Sequence, residues 1–363
     1  MTSKRELHYN EEKSVLGHKW KVVIALAVTM KEISEISGVS RGTVDRVLNG
    51  RGKVSPEKEA LVKSVAKQLG YKPNLAGKAL AARKKLYTIG VLLASEGNPF
   101  FDEVFRGIEQ AKKELADYGV SLLIHTFRGY DSELQVREME KMRSSIHALV
   151  LNPINEPAVA EKINELWEDH IPVVTVNTDV ENSRRICYVG NDYFKSGAAA
   201  CGILALMLKP DAKLGILTGS VKILGHSKRI AGFHSVLKER YPGFQVMDVE
   251  ETNDDDFIAF EQTKAMLTKY PDIEGLFVVA AGTYGVCRAV LSLAKEKQIA
   301  IVCVDKIPTT EEMIHTGVIR ATICQQPFTQ GYQSIQKAWQ YLVGGQMPED
   351  YITKSEIKIL ENL

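Results

Sequence analysis

The sequence has no long apolar run: no stretch approaches the roughly 18 consecutive apolar residues that a membrane span needs. Cysteine is sparse and odd in number, at 187, 201, 287, 303 and 324, mostly inside apolar segments. Such a set reads as buried thiols in a reducing cytoplasm, not as a disulfide framework. Nothing in the spacing of these cysteines suggests zinc, and the eight histidines form no ligand pair at helical or finger spacing, so no metal or cofactor is expected. A Gly-x-Gly-x-x-Gly turn is missing as well. The first strand candidate runs into Glu96-Gly97-Asn98-Pro99, which cannot cradle a pyrophosphate, and this argues against a dinucleotide-dependent enzyme. Net charge is also nearly absent, at +1 over 363 residues.

That small total hides an asymmetry. Residues 29–85 hold thirteen Lys or Arg against five Asp or Glu, a net of +8 that leaves −7 for the rest. A basic head on an acidic body is the footprint of one module that binds phosphates and another that does not. The length suffices for two or three compact units, and 45% hydrophobic with 25% charged residues is ordinary for a globular chain.

The head begins at Thr29, three residues before Glu32, a capping box that starts a helix. Ile33 and Ile36 supply an apolar stripe, Gly38 allows a left-handed turn, and Ser40 can cap a second helix with Val44, Val47 and Leu48 turned inward. Its outward face carries Arg41, Gly42, Asp45, Arg46 and Asn49, side chains that fit a DNA major groove. Two helices around a Gly turn also occur in proteins that never touch DNA. A third helix narrows the choice: Ser55-Pro56-Glu57 is a start signal, and Leu61, Val65 and Leu69 then recur until Gly70, closing a small bundle.

Upstream, Lys19-Trp20-Lys21 and the short apolar run Val22 to Val28 imitate a signal peptide, but no small-residue cleavage site follows, so export is not expected. Residues 1–28 are expected to be an extension, with translation starting at Val28 from an alternative codon or with a disordered basic tail. Downstream, Pro73 breaks the pattern and Asn74 can cap a short helix that ends before Arg83-Lys84-Lys85. A helix this short is marginal alone and is expected to order only when something holds it.

From Tyr87 onward about nine short apolar runs alternate with amphipathic helices, the first of which shows Val104, Ile108, Ala111 and Leu115 on one face before Gly119. This alternation predicts parallel sheets flanked by helices, in two lobes with a break near Gly190-Asn191-Asp192. Ligands of such sheets bind beyond the carboxyl ends of the strands. Asn98-Pro99-Phe100-Phe101, Asn177-Thr178, Ala280-Ala281-Gly282-Thr283, Asp305 and Gln325 stand there. Each residue alone is equally a cap or turn former. Together their amides, carboxylates and aromatic faces suit a small polyhydroxylated ligand.

The head resembles the lactose-repressor and galactose-repressor family of bacterial transcription regulators through Thr29-Met30-Lys31-Glu32-Ile33, Gly38-Val39-Ser40, Thr43-Val44, Arg46-Val47-Leu48-Asn49 and Leu69-Gly70-Tyr71-Lys72-Pro73-Asn74. The resemblance implies a helix-turn-helix headpiece over 29–73, a hinge helix over 74–86, and a two-lobed periplasmic-binding-protein-like domain over 87–363. It divides that domain into an N-lobe of about 87–190 plus 326–352 and a C-lobe of about 191–325 plus 353–363. DNA contacts are thereby implied at Thr29, Ser40, Arg41, Gly42, Thr43, Asp45, Arg46 and Asn49, then at Asn74 and at Leu80, the minor-groove wedge. Gly42 has no side chain to read with, Asp45 replaces the usual small hydroxyl residue, and Gly77 weakens the hinge helix by roughly 1 kcal/mol.

The body is more similar to the periplasmic ribose- and galactose-binding proteins. The resemblance implies ligand contacts at Asn98, Phe100, Phe101, Asn177, Arg229, Asp305 and Gln325, and the strand-end positions add Thr178 and Thr283. Ala280-Ala281-Gly282 departs from that group by removing a sugar-binding amide. The expected function is a cytoplasmic, non-enzymatic transcription regulator, a repressor in most of this family. It is expected to bind a pseudo-palindromic operator as a homodimer, under control of a sugar or polyol. The alternative is a periplasmic-type solute-binding protein without DNA function, which predicts a cleavable export signal and no basic head.

Overall fold

The computed structural model describes residues 28–48, 54–71 and 86–363, which fall into two compact units. Asn49, Asn74, Gly77 and Leu80, with residues 1–27 of the N-terminal extension and 74–85 of the expected hinge, lie outside the described residues.

The smaller unit is three helices, α1 (Met30–Ser37), α2 (Arg41–Leu48) and α3 (Pro56–Gln68). The capping box forms as expected: the Glu32 N–H donates to Thr29 Oγ1 at 3.3 Å, and the Thr29 N–H donates to the Glu32 carboxylate at 2.7 Å. Gly38 takes the left-handed turn with φ of 67°. Two expectations fail here. Ile36 is 60% exposed, because α1 turns the face of Met30, Ile33, Ser34 and Ser37 inward, with Ser34 Oγ donating to the Val39 carbonyl at 2.7 Å. Leu61 is 45% exposed while Val62 is completely buried. The inward face of α3 follows 62, 65, 66 and 69, the i, i+3, i+4, i+7 pattern, which the four-residue repeat through Leu61 does not track. Ser55 stands at the cap position, but its hydroxyl makes no cap bond.

The larger unit holds two six-stranded sheets. Their strands are β1 (Tyr87–Ala94), β2 (Val120–Phe127), β3 (Ala148–Leu151), β4 (Val173–Asn177), β5 (Cys187–Asn191), β6 (Lys213–Thr218), β7 (Gln245–Glu251), β8 (Ile273–Val278), β9 (Ala300–Val304), β10 (Ile319–Cys324), β11 (Tyr351–Thr353) and β12 (Glu356–Lys358). The orders are β11-β5-β4-β3-β1-β2 and β12-β10-β9-β8-β6-β7, parallel throughout except that β12 runs antiparallel to β10. The helices are α4 (Phe100–Leu115), α5 (Ser132–Arg143), α6 (Pro157–Glu168), α7 (Tyr193–Met207), α8 (Leu224–Arg240), α9 (Asp256–Lys269), α10 (Thr283–Ser292), α11 (Pro308–His315) and α12 (Pro327–Gly344). Central strands such as β3 and β9 are buried at every position, as expected for sheets covered on both faces.

The chain passes between the two lobes at Asn191–Tyr193, returns between β10 and α12, and passes again between β11 and β12. The lobe boundary expected near Gly190-Asn191-Asp192 coincides with this first crossing, and Gly190 and Asn191 themselves end the buried strand β5. Gly190 is required there because a Cβ would lie 2.1 Å from the Tyr188 hydroxyl. Cys187, Cys201, Cys287 and Cys303 are buried free thiols, and burial pushes Cys303 up to about 12.

Candidate functional site

A cavity lies between the carboxyl ends of the two sets of strands, where the topology makes the loops converge. At the ends of β4 and β9 the backbone takes the left-handed conformation at Asn177 and Asp305, each with φ of 66°. Non-glycine residues in that region carry strain, and such positions cluster at ligand sites. Asn177 Nδ2 donates to Tyr193 Oη at 3.1 Å, and the Tyr193 hydroxyl donates to the Asn177 carbonyl. Asn98 faces the cavity and also caps α4, its Oδ1 accepting from the Phe100 N–H at 3.0 Å. Phe100 and Phe101 meet edge to face at 5.3 Å between ring centres. Thr178 Oγ1 accepts from the Gly225 N–H at 3.1 Å, which joins the first lobe to the start of α8.

Arg229 is the cation of the cavity. Close packing of α7 on α8 positions it, since a Cβ at Gly197 would lie 1.8 Å from the Arg229 carbonyl oxygen. Its Nη1 donates to the Val279 carbonyl at 2.7 Å and its guanidinium sits 4.5 Å from the centre of the Tyr193 ring, while Nε and Nη2 have no hydrogen-bond partner. Asp305 accepts from Gln325 Nε2 at 2.9 and 3.1 Å. Burial pushes its carboxyl up to about 6, against the pull of Arg229 and of the Gln325 hydrogen bond. Asp254 accepts from the Tyr130 hydroxyl through Oδ2, and its Oδ1 is buried without a partner. His226 is held below the usual histidine range, chiefly by burial, so it stays neutral.

Of the expected ligand residues, Asn98, Phe100, Phe101, Asn177, Thr178, Arg229, Asp305 and Gln325 line the cavity. Thr283 does not line it. Gly282, with φ of 90°, turns the chain so that Ala281 faces the cavity, and the Thr283 hydroxyl lies 3.5 Å from the Ala280 carbonyl at the start of α10. Tyr130, Asn152, Tyr193, His226 and Asp254 also line the cavity and were missed from the sequence. Asn152 directly follows β3, and Tyr130 and Asp254 lie three residues beyond β2 and β7, so the strand-end rule reaches them. Tyr193 and His226 sit on helices, where no strand-end signal exists.

On the smaller unit, Arg41, Gly42 and Arg46 are exposed along α2. Arg46 Nε donates back to the Gly42 carbonyl at 3.2 Å, and the Ser40 and Thr43 hydroxyls pair at 3.0 Å. Asp45 is half-buried. The Tyr71 hydroxyl is pushed up by burial and then by the Asp45 charge, which places this carboxylate on the side of α2 that faces the end of α3.

Residues 29–74 match the bacterial regulatory proteins of the lacI family, and residues 89–346 match the periplasmic binding protein domain. The chain belongs to the periplasmic binding protein domain family and carries a lacI-family regulatory domain at its head. Its relatives divide along the same seam. The ribose import binding protein RbsB of Bacillus subtilis is 26% identical over 70% of this chain and 81% of its own length. The ribose operon repressor of Haemophilus influenzae is 29% identical over 58% of this chain and 60% of its own. Among solved structures, the glucose-galactose binding protein GanP from Geobacillus stearothermophilus superposes with a TM-score of 0.72 at 27% identity, covering 77% of this chain and 99% of that one. Among the described residues no helix is long and apolar enough to cross a membrane.

Gly42 offers no side chain to a base, and Arg41 is exposed beside it. Arg41→Ala should weaken specific operator binding by about 1–3 kcal/mol and relax preference at one base position. Gel-shift titrations on operator and random DNA check this, and equal losses on both would contradict it.

Proposed function

We propose that this chain is a cytoplasmic transcription regulator, acting as a repressor, that binds a pseudo-palindromic operator as a homodimer under control of a neutral sugar or polyol. The observation that carries the ligand class is Arg229, whose Nε and Nη2 have no partner in a cavity that the Tyr193 ring, Asp254 and Asp305 also line. Vicinal hydroxyls satisfy both kinds of group at once, donating to Asp305 or Asp254 while accepting from Arg229. A ligand carrying its own negative charge would meet two carboxylates against one guanidinium. The names of the relatives, ribose and glucose-galactose among them, support the same class. No covalent step is required. Closure of the lobes on ligand changes whether the paired hinge segments can hold DNA, a coupling of two sites through one conformational change.

The test is a thermal-shift screen of monosaccharides and polyols, followed by operator binding with each hit. A protein that no such compound stabilises, or whose DNA affinity every stabilising compound leaves unchanged, would sink the reading. Ligand binding should also depend on pH. The raised carboxyl of Asp305 favours the folded protein below about pH 4, and that contribution is lost as pH rises through about 6. Hydroxyls that donate to Asp305 favour its ionised form, so affinity should rise from pH 5 to 7 with proton release on binding. Isothermal titration in buffers of different ionisation enthalpy measures that release. An affinity independent of pH would show that Asp305 does not accept from the ligand.

A further inference from the structure

The inner cavity has a neighbour. A second cavity lies beside the same strand ends, lined by Glu96, Arg128, Asn253, Asp255 and Ile258. The two share Ala94, Asn98, Tyr130 and Asp254. Tyr130 and Asp254 therefore stand as a wall between them.

That wall is made of one residue from each lobe. Tyr130 follows β2 of the first sheet, and Asp254 follows β7 of the second. The Tyr130 hydroxyl donates to Asp254 Oδ2. Farther out, Arg128 meets Asp255 at 3.4 Å, but the Arg128 side chain is 72% exposed, so this pair contributes little. On the inner side, Asp254 Oδ1 lies where a Cβ on Gly219 would come within 2.1 Å of it, so glycine at 219 makes room for the carboxylate. Tyr130 thus occupies one oxygen of Asp254 and leaves the other, buried and without a partner, beside the inner cavity.

We infer that Tyr130, braced on Asp254, sets the size of the ligand: the inner cavity takes a single sugar ring, and the tyrosine excludes glycosides and disaccharides whose second unit would enter the outer cavity. This rests on the sugar reading proposed above. A second unit could enter only by displacing the ring and breaking the bond to Asp254, which would leave a buried carboxylate without its donor. With the ring removed the cavities merge, and the polar lining of the outer one, Glu96, Arg128 and Asn253, can meet further hydroxyls.

The experiment uses the full chain and a panel of free aldopentoses and aldohexoses, their methyl glycosides, and lactose, melibiose and maltose, with binding followed by calorimetry. The wild type should bind one or more monosaccharides and take the corresponding disaccharides roughly 100-fold more weakly. Tyr130→Ala should narrow that ratio by roughly tenfold or more, whereas Tyr130→Phe, which keeps the ring but loses its bond to Asp254, should narrow it by less. A wild type that binds a disaccharide as tightly as its monosaccharide would overturn the inference. So would an alanine variant that keeps monosaccharide binding but gains nothing for longer ligands. Should Tyr130→Ala not fold, as judged by its melting temperature, Tyr130→Val takes its place with the same expectation. If no sugar binds any of these proteins, the sugar reading itself fails, a result distinct from monosaccharide binding with an unchanged ratio.

Discussion

Arg229→Met should leave operator binding at wild-type strength and abolish the response to ligand. The substitution keeps much of the side-chain volume on α8, so the close contact of Gly197 with the Arg229 backbone survives. What disappears is the guanidinium. Its two unpaired N–H groups are lost to the ligand, and the buried Asp305 loses the cation that offsets its desolvation. Hydrogen bonds to a charged group contribute about 1.5–3 kcal/mol each, so losing two of them costs roughly a hundredfold or more in affinity. Arg229→Lys should fail nearly as badly, because a lysine offers a point charge in place of the planar fork that bonds Val279 and stacks on Tyr193. Calorimetric titration with the best ligand, alongside operator binding with and without it, checks both variants. A ligand affinity within a few-fold of wild type would remove Arg229 from the site.

Val62→Asp should abolish DNA binding while the body goes on binding ligand, and Leu61→Asp should do neither. Val62 has no exposed surface and packs with Ile33, Val44 and Val65. An unpaired carboxylate in that position costs several kcal/mol, and a bundle this small holds only about 3–5 kcal/mol in total. Leu61 faces solvent for nearly half its surface, so the same charge there stays hydrated. Operator gel shifts and ligand calorimetry on both variants provide the comparison. Equal damage from the two would mean that the inward face of α3 is wrongly placed. Lost ligand binding in Val62→Asp would mean that the two units do not fold separately.

The adjacent pair 61 and 62 shows where local pattern stops being informative. Leu61, Val65 and Leu69 make a regular repeat, and Leu is the larger apolar residue. Which side of a short amphipathic helix goes inside depends on what α1 and α2 present to it, and here that face is Val62, Val65, Ala66 and Leu69. Ile36 was misread for the same reason. In the body, long apolar strands such as β1 and β9 were legible because parallel sheets bury both faces and leave a continuous signature. Strand β5 was not, since its Gly190 and Asn191 look like a turn until the Tyr188 hydroxyl is seen to occupy the space a side chain would need. The three-residue strands β11 and β12 pair only with elements more than thirty positions away in the sequence, β5 and β10.

The sequence by itself determined the helix-turn-helix with its capping box, the alternation of strands and helices, and the polar residues waiting at the strand ends, because each is written in contacts a few residues apart or in the period of one element. Only the tertiary structure decided which strand ends meet. It turned Thr283 away from the cavity, brought Tyr193 and His226 in from helices, and set Asp254 against Tyr130. Those pairings span lobes and long separations in the chain. They depend on how two sheets approach each other, and no local pattern of residues encodes that distance.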